Sequence, residues 1–204
     1  SVAALLLLVF FKVIIPYQEE REFLALIEGD ISLKQAVRRA GGLDSLRALH
    51  VDDANYDIVN GNLKHFKNLR TLALSDIYDL EDLSIFTGTA LPLLDTLYLS
   101  YNVSLKKISG IENLTNLQCL KIEGNYELSN IKAIESLTSL TALEISSTQY
   151  LDSLSEIESL TALQYLALKE NFALPYLPSL EDFDSLLVLD ISYNQSLQEL
   201  PVFE

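Results

Sequence analysis

A pattern of leucines that returns along most of the chain limits the fold more than any other feature. The pattern L-x-x-L-x-[LIV] begins at Leu46, Leu69, Leu94, Leu117, Leu140, Leu163 and Leu186. The steps between these leucines are 23, 25, 23, 23, 23 and 23 residues. A repeat of this length indicates a solenoid, because one unit cannot bury its apolar face alone and must stack on its neighbours. The sequence therefore predicts an α/β solenoid with a parallel concave sheet and about seven repeats.

Two periodicities occur within each repeat. Apolar and outward-facing residues alternate through the centre of the pattern, as at residues 97–99, and this alternation predicts a short strand. Apolar residues at three-residue spacing follow, as at Leu105, Ile108 and Ile111. This second spacing predicts a tight helical turn or an irregular return on the convex side, from which the chain leads back to the next strand.

A polar residue follows the strand at the same place in five repeats: Asn102, Asn125, Thr148, Asn171 and Asn194. A turn that enters the interior leaves backbone N–H and C=O groups that need hydrogen-bond partners. An amide side chain both donates and accepts, so we predict that these residues form a buried ladder between adjacent turns. Ala54 and Ile77 occupy this place in the first two repeats, so the ladder should begin at the third.

Because of the repeated leucines and the asparagines that follow each strand, residues 43–204 resemble the leucine-rich repeat family. The 23-residue unit and its I-x-x-I/L-x-x-L-T ending are most similar to the short-repeat class found in internalin-type bacterial surface proteins. The resemblance implies a protein that binds other proteins on the concave sheet. It does not identify the ligand.

Composition limits the range of functions. The formal net charge is −15, and the acidic excess is greatest near the C-terminal end, which argues against binding of nucleic acid. Cys119 is the single cysteine, so no intrachain disulfide forms. The sequence has no phosphate-binding glycine loop, metal-spaced Cys/His cluster or nucleophile elbow. We predict a protein that is not an enzyme and that has no cofactor or metal. His50 beside Asp52 and Asp53 is interpreted as a surface histidine.

The N-terminal segment differs in character from the repeats. Residues 1–16 are almost purely apolar, and at about 1.5 Å per residue a helix of this length is shorter than a bilayer core. We interpret this segment as part of a membrane anchor or stem. The alternatives are a signal-peptide core, or a helix packed in a protein assembly, as in type IV pilins. Residues 17–42 are predicted to form a helical cap over the first repeat.

The concave face is the predicted binding surface. Side chains alternate along a strand, and equivalent residues of neighbouring strands form columns about 4.8 Å apart. The central column should read His50, Ala73, Tyr98, Lys121, Glu144, Ala167 and Asp190. We predict a protein-binding site formed by Tyr98, Tyr101, Lys121, Glu123, Glu144, Tyr165, Lys169, Asp190 and Tyr193, because exposed tyrosines are enriched in binding hot spots. The alternative is that Lys121 and Glu144 pair with each other while the tyrosines only cover the sheet.

Two functions are consistent with these features. The first is a membrane-tethered recognition module that uses the concave face. Its repeat domain should lie outside the cytoplasm, because residues 18–22 lack the Lys/Arg excess of a cytoplasmic flank. The alternative is a structural subunit of a larger complex or pilin-like filament, with the apolar N-terminal helix packed in the assembly core. A homo-oligomer or a filament is consistent with this alternative.

Overall fold

The computed structural model describes residue 40, residues 45–60, residue 63 and residues 66–199. The predicted apolar segment at residues 1–16 lies outside these ranges, as does the predicted cap at residues 17–42 apart from Ala40. Ala40 is helical and packs, half-buried, against the hydrophobic core. Within the described ranges no helix combines the length and the apolar character needed to cross a membrane.

Short parallel strands form one continuous sheet through the described repeats. In chain order they are β1 (Ala48–Val51), β2 (Thr71–Ser75), β3 (Thr96–Ser100), β4 (Cys119–Glu123), β5 (Ala142–Ser146), β6 (Tyr165–Lys169) and β7 (Val188–Asp190). Each strand pairs with the next one in sequence, so the order in the sheet is β1 to β7. Because neighbours are parallel, each connection must return along the other side of the sheet. This topology confirms the predicted solenoid.

The leucines of the repeat pattern form the core. Leu72, Leu97 and Leu120 pair in register on three successive strands. All three are buried, as are their counterparts through β6. Aligned leucines from one strand to the next give a single hydrophobic cluster that runs through the described repeats.

The return segments contain short helical turns, as the three-residue spacing predicts. One α-helix, α1 (Tyr56–Asn60), follows β1. Four 3-10 helices follow in later repeats: Ser84–Phe86, Ile111–Asn113, Lys132–Ser136 and Ser155–Ser159. Leu105, Ile108 and Ile111 are fully buried, and the 3-10 helix of this repeat begins only at Ile111, so an irregular segment carries the first two inward.

The asparagine ladder is present and begins where the sequence places it. Asn102 accepts a hydrogen bond from the Ile77 N–H (3.1 Å) and donates to the Leu74 carbonyl (3.0 Å). Asn125 accepts from the Asn102 N–H at 3.0 Å. In the fifth repeat the Thr148 hydroxyl donates to Oδ1 of Asn171 (2.8 Å). The polar side chains therefore satisfy backbone groups that enter the interior.

The coil that contains β7 is less buried than the coils before it. Leu189 and Ile191 are half-buried, whereas their counterparts Leu166 and Leu168 are fully buried. β7 pairs with β6 through three residue pairs only, whereas β6 pairs with β5 through five. Each coil is stabilised by its neighbours, so this coil has fewer stabilising contacts.

Candidate functional site

The side of the sheet opposite the leucine core carries the predicted central column. Register runs from His50 on β1 through Ala73, Tyr98, Lys121, Glu144 and Ala167 to Asp190 on β7. We call this column and the side chains around it the sheet face. Side chains alternate between the two sides of each strand, and this alternation determines which residues belong to the central column. The sequence predicts the residues of this column correctly.

A chain of ion pairs crosses the sheet face from β4 to β6. The Lys121 ammonium lies 2.7 Å from Oε2 of Glu123 and 3.7 Å from Oε1 of Glu144. The Lys169 ammonium lies 3.0 Å from the same Glu144 oxygen. The Ser146 hydroxyl also donates to this oxygen, at 3.5 Å. The predicted pairing of Lys121 with Glu144 is therefore present, and Lys169 gives Glu144 a second and shorter ion pair.

Glu144 is the centre of this network and is 4% exposed. Its Oε1 atom receives both ammonium groups, whereas its Oε2 atom is buried without a hydrogen-bond partner among the described residues. A buried acceptor without a partner costs about 1–3 kcal/mol. The sheet face thus contains a fixed negative group with unused hydrogen-bonding capacity.

Tyr101 joins the network from the turn after β3. Its hydroxyl donates to Oε1 of Glu123 at 3.3 Å, and its φ is 57°. The ring lies over Gly124, where an added Cβ would meet ring atoms at 2.6 Å. The Glu123 carboxylate holds the pKa of Tyr101 above its ordinary value, because a nearby negative charge disfavours the phenolate. Partial burial and the hydrogen bond to Glu123 act in the same direction.

Tyr98 differs from the prediction of an exposed tyrosine. It is only 4% exposed, although it belongs to the central column. Its hydroxyl lies 3.9 Å from Sγ of Cys119 on the neighbouring strand. The side chain therefore lies across the sheet toward β4 instead of standing away from it. This position makes Tyr98 part of the packed surface.

The remaining predicted site residues lie on β6 and beyond. Tyr165 and Asp190 are half-buried, and the Asp190 carboxylate accepts a hydrogen bond from the Ser192 N–H at 3.0 Å. Tyr193 is 75% exposed in the turn after β7. Hydrogen bonds and ion pairs of the network join Tyr101, Glu123, Lys121, Glu144 and Lys169. Sequence analysis did not identify Ser146, although its place two residues after Glu144 puts it on the same side of β5.

His50 does not form a pair with the neighbouring acids. Its Nε2 atom lies within hydrogen-bond distance of the Ser75 hydroxyl. The Asp52 carboxylate accepts from the Ala54 N–H, and Asp53 accepts from the Tyr78 N–H. Across the described ranges no group of three or more His, Cys, Asp or Glu residues is arranged to hold a metal ion.

Comparisons with known proteins agree with this geometry. No family model matches the sequence, and no curated protein gives a significant match. Among solved structures, internalin C2 from Listeria monocytogenes matches 78% of this chain and 83% of its own, with 19% identity and a TM-score of 0.54. A protein with leucine-rich repeats from Leptospira interrogans matches 82% of this chain with 26% identity and a TM-score of 0.64. The chain has the leucine-rich repeat fold.

At 19% identity, the likeness to internalin C2 shows a shared fold. The chain spans 42% of the Leptospira protein. The structure of the TLR13–ssRNA13 complex also matches, with 21% identity over 68% of this chain and 23% of its own, and a TM-score of 0.50. These likenesses concern the fold.

Proposed function

We propose that this leucine-rich repeat protein is a non-catalytic recognition module that binds a protein partner through its sheet face. The leucine-rich repeat fold supports recognition of proteins in general. The sheet face is favoured as the surface because charged and aromatic side chains meet there on rigid strands. A site on rigid elements loses little conformational entropy when a partner binds.

The proposal rests on the environment of the Glu144 carboxylate. Its Oε2 atom is a buried acceptor without a hydrogen-bond partner among the described residues, at the middle of the sheet face. A partner that donates a hydrogen bond to this atom would recover the cost of its burial. Lys121 and Lys169 have flexible stems, so their movement can admit such a donor.

Site-specific photo-cross-linking in cells tests this surface. A photoreactive residue is placed at Lys169 or Tyr193 on the sheet face, and at the exposed Glu135 on the opposite side as a control. We expect one partner protein to be cross-linked from both sheet-face positions and not from Glu135. With that partner purified, Lys169→Ala and Tyr193→Ala should each weaken binding about tenfold, whereas Glu135→Ala should not.

Two results would contradict the proposal. Cross-linking of the partner from Glu135 alone would place the interface on the side of the 3-10 helices. Cross-links from the sheet face only to other copies of this chain would favour the structural-subunit alternative.

We also propose that residues 1–16 hold the module at a membrane, with the repeats outside the cytoplasm. The support is the apolar composition of this segment and the acidic flank that follows it. Protease treatment of intact cells should then digest the repeats. If the repeats are digested only after the cells are lysed, this topology is wrong.

A further inference from the structure

The formal charges of the ion-pair network on the sheet face cancel. Lys121 pairs with Glu123 at 2.7 Å, and Lys169 pairs with Glu144 at 3.0 Å. The longer contact between Lys121 and Glu144, at 3.7 Å, joins these two pairs. Two ammonium groups therefore face two carboxylates. The balance is local, because the whole chain has a formal net charge of −15.

Hydrogen bonding in the same network is not balanced. Oε1 of Glu144 receives the Lys169 ammonium at 3.0 Å and the Ser146 hydroxyl at 3.5 Å. Oε2 is buried without a hydrogen-bond partner among the described residues. In the sheet register, Glu144 lies between Lys121 on β4 and Ala167 on β6, and the methyl group of Ala167 supplies no donor. The network thus lacks a donor at Oε2 but does not lack a positive charge.

This difference distinguishes between the donors that a partner can bring. A Lys or Arg side chain would place a third positive charge beside Lys121 and Lys169, with no carboxylate of the network left to balance it. Burial of an unbalanced charge in an interface is unfavourable. A guanidinium also favours two free carboxylate oxygens at once, whereas Oε1 of Glu144 is already occupied. A hydroxyl or a primary amide adds no charge and satisfies a single acceptor.

The two lysines determine how a donor reaches Glu144. The side chains of Lys121 and Lys169 are 17% and 27% exposed, whereas that of Glu144 is 5% exposed. Neighbouring side chains therefore cover the carboxylate, and a donor reaches Oε2 when they move aside. A lysine stem is flexible enough to move while its ammonium stays near its carboxylate.

We propose that the partner places an uncharged hydrogen-bond donor on Oε2 of Glu144, from a Ser, Thr or Tyr hydroxyl or from an Asn or Gln amide. The donor satisfies the buried oxygen and leaves the charge balance of the network unchanged. This inference rests on the proposed function, because it specifies the chemistry by which a protein partner meets the sheet face.

A titration of the whole chain with three small probes tests this preference. Acetamide is an uncharged donor, acetone has nearly the same size but no donor, and methylammonium is a charged donor. The backbone amide signals of Glu144 and Ala167, measured by NMR, report binding on the two adjacent strands. We expect acetamide to reach half-saturation at a concentration at least about tenfold lower than acetone or methylammonium.

Two variants change the network in opposite ways. Lys169→Met removes one of the two ammonium groups, so the network keeps a net charge of −1. The preference should then reverse, with methylammonium binding at least about tenfold more tightly than acetamide. In Glu144→Gln the amide oxygen should face the lysines and the NH2 group should replace Oε2. Acetamide binding, followed at Ala167, should weaken about tenfold.

Glu135→Gln is the matched control. It removes one carboxylate at an exposed position on a 3-10 helix. Acetamide should bind this variant within about twofold of its affinity for the unaltered protein.

Several results would overturn the inference. One is that acetone or methylammonium binds the unaltered protein as tightly as acetamide, and another is that acetamide does not shift the reporting amides. A third is that Lys169→Met keeps the preference for acetamide, since the charge balance would then not select the donor. The proposed function fails by a different result, namely no partner cross-linked from the sheet face, and the response to the three probes does not depend on that result.

Discussion

Each buried asparagine side chain both donates a hydrogen bond to the preceding repeat and accepts one from it. The Asn125 amide donates to the Leu99 carbonyl at 2.8 Å, and its Oδ1 accepts from the Asn102 N–H at 3.0 Å. The amide group carries its donor and its acceptor on separate atoms, so one side chain serves a backbone carbonyl and a backbone N–H together. The sequence predicts these contacts because the chemistry and the position in the repeat both require them.

Asn102→Ala should lower the free energy of unfolding by about 1–3 kcal/mol, because it removes the side-chain hydrogen bonds to the buried Ile77 N–H and Leu74 carbonyl. Urea unfolding followed by circular dichroism measures this change. Asn113→Ala is the control, since Asn113 is exposed on a 3-10 helix. Equal midpoints for the two variants would contradict a structural role for the ladder.

The pKa of Tyr101 reports the contact between the turn after β3 and strand β4. Glu123→Gln removes the charge that raises this pKa and should lower it toward the ordinary value of 10.0. A raised pKa means that folding favours the neutral phenol. Its contribution to stability is therefore present below pH 10.0 and is lost as the pH rises through the folded-state pKa. Phenolate absorbance measures the titration, and Tyr101→Phe identifies its signal.

A variant that loses one carboxylate far from Tyr101 is the control for this titration. Glu135→Gln changes the net charge by the same amount at an exposed position on a 3-10 helix. It should leave the Tyr101 titration in place. A Tyr101 pKa that does not change in Glu123→Gln would show that burial, and not the carboxylate, raises it.

At the scale of the strands, the fold follows from the sequence more completely than the sheet face does. The seven strands and their register are predicted because leucine spacing fixes which residues align. The pairing of Lys169 with Glu144 is not predicted, because it runs diagonally between β6 and β5 and depends on the side-chain conformation. The burial of Tyr98 depends in the same way on where its ring turns, which strand periodicity does not specify.

The ion pairs between β4, β5 and β6 should be coupled in stability. Lys169→Met leaves the buried Glu144 carboxylate with Lys121 at 3.7 Å as its remaining ion pair, and should destabilise the protein by about 1–3 kcal/mol. Adding Glu144→Leu removes the buried charge and should restore part of this loss. A double-mutant cycle by urea unfolding measures the coupling. Additive losses would show that the two side chains stabilise the sheet independently.

At the scale of the whole molecule, stability in a solenoid is shared between neighbouring coils. β4 and β5 each pair along five residues with a strand on either side, whereas β7 pairs along three residues with β6. The leucines of the β7 coil are also less buried than those before it. A coil with fewer contacts opens locally at a lower free energy.

Hydrogen exchange should therefore reveal a gradient along the chain. Amides of β4 and β5 should exchange most slowly, and those of β7 should exchange at least about tenfold faster, because opening β7 disrupts a single strand pairing. Exchange detected by mass spectrometry on peptides covering each strand measures the difference. Asn102→Ala, which weakens the contact between β2 and β3, should speed exchange in β2 and β3 and leave β6 nearly unchanged, since each coil contacts mainly its neighbours. Equal acceleration in all the strands would mean that the described repeats unfold as one cooperative unit.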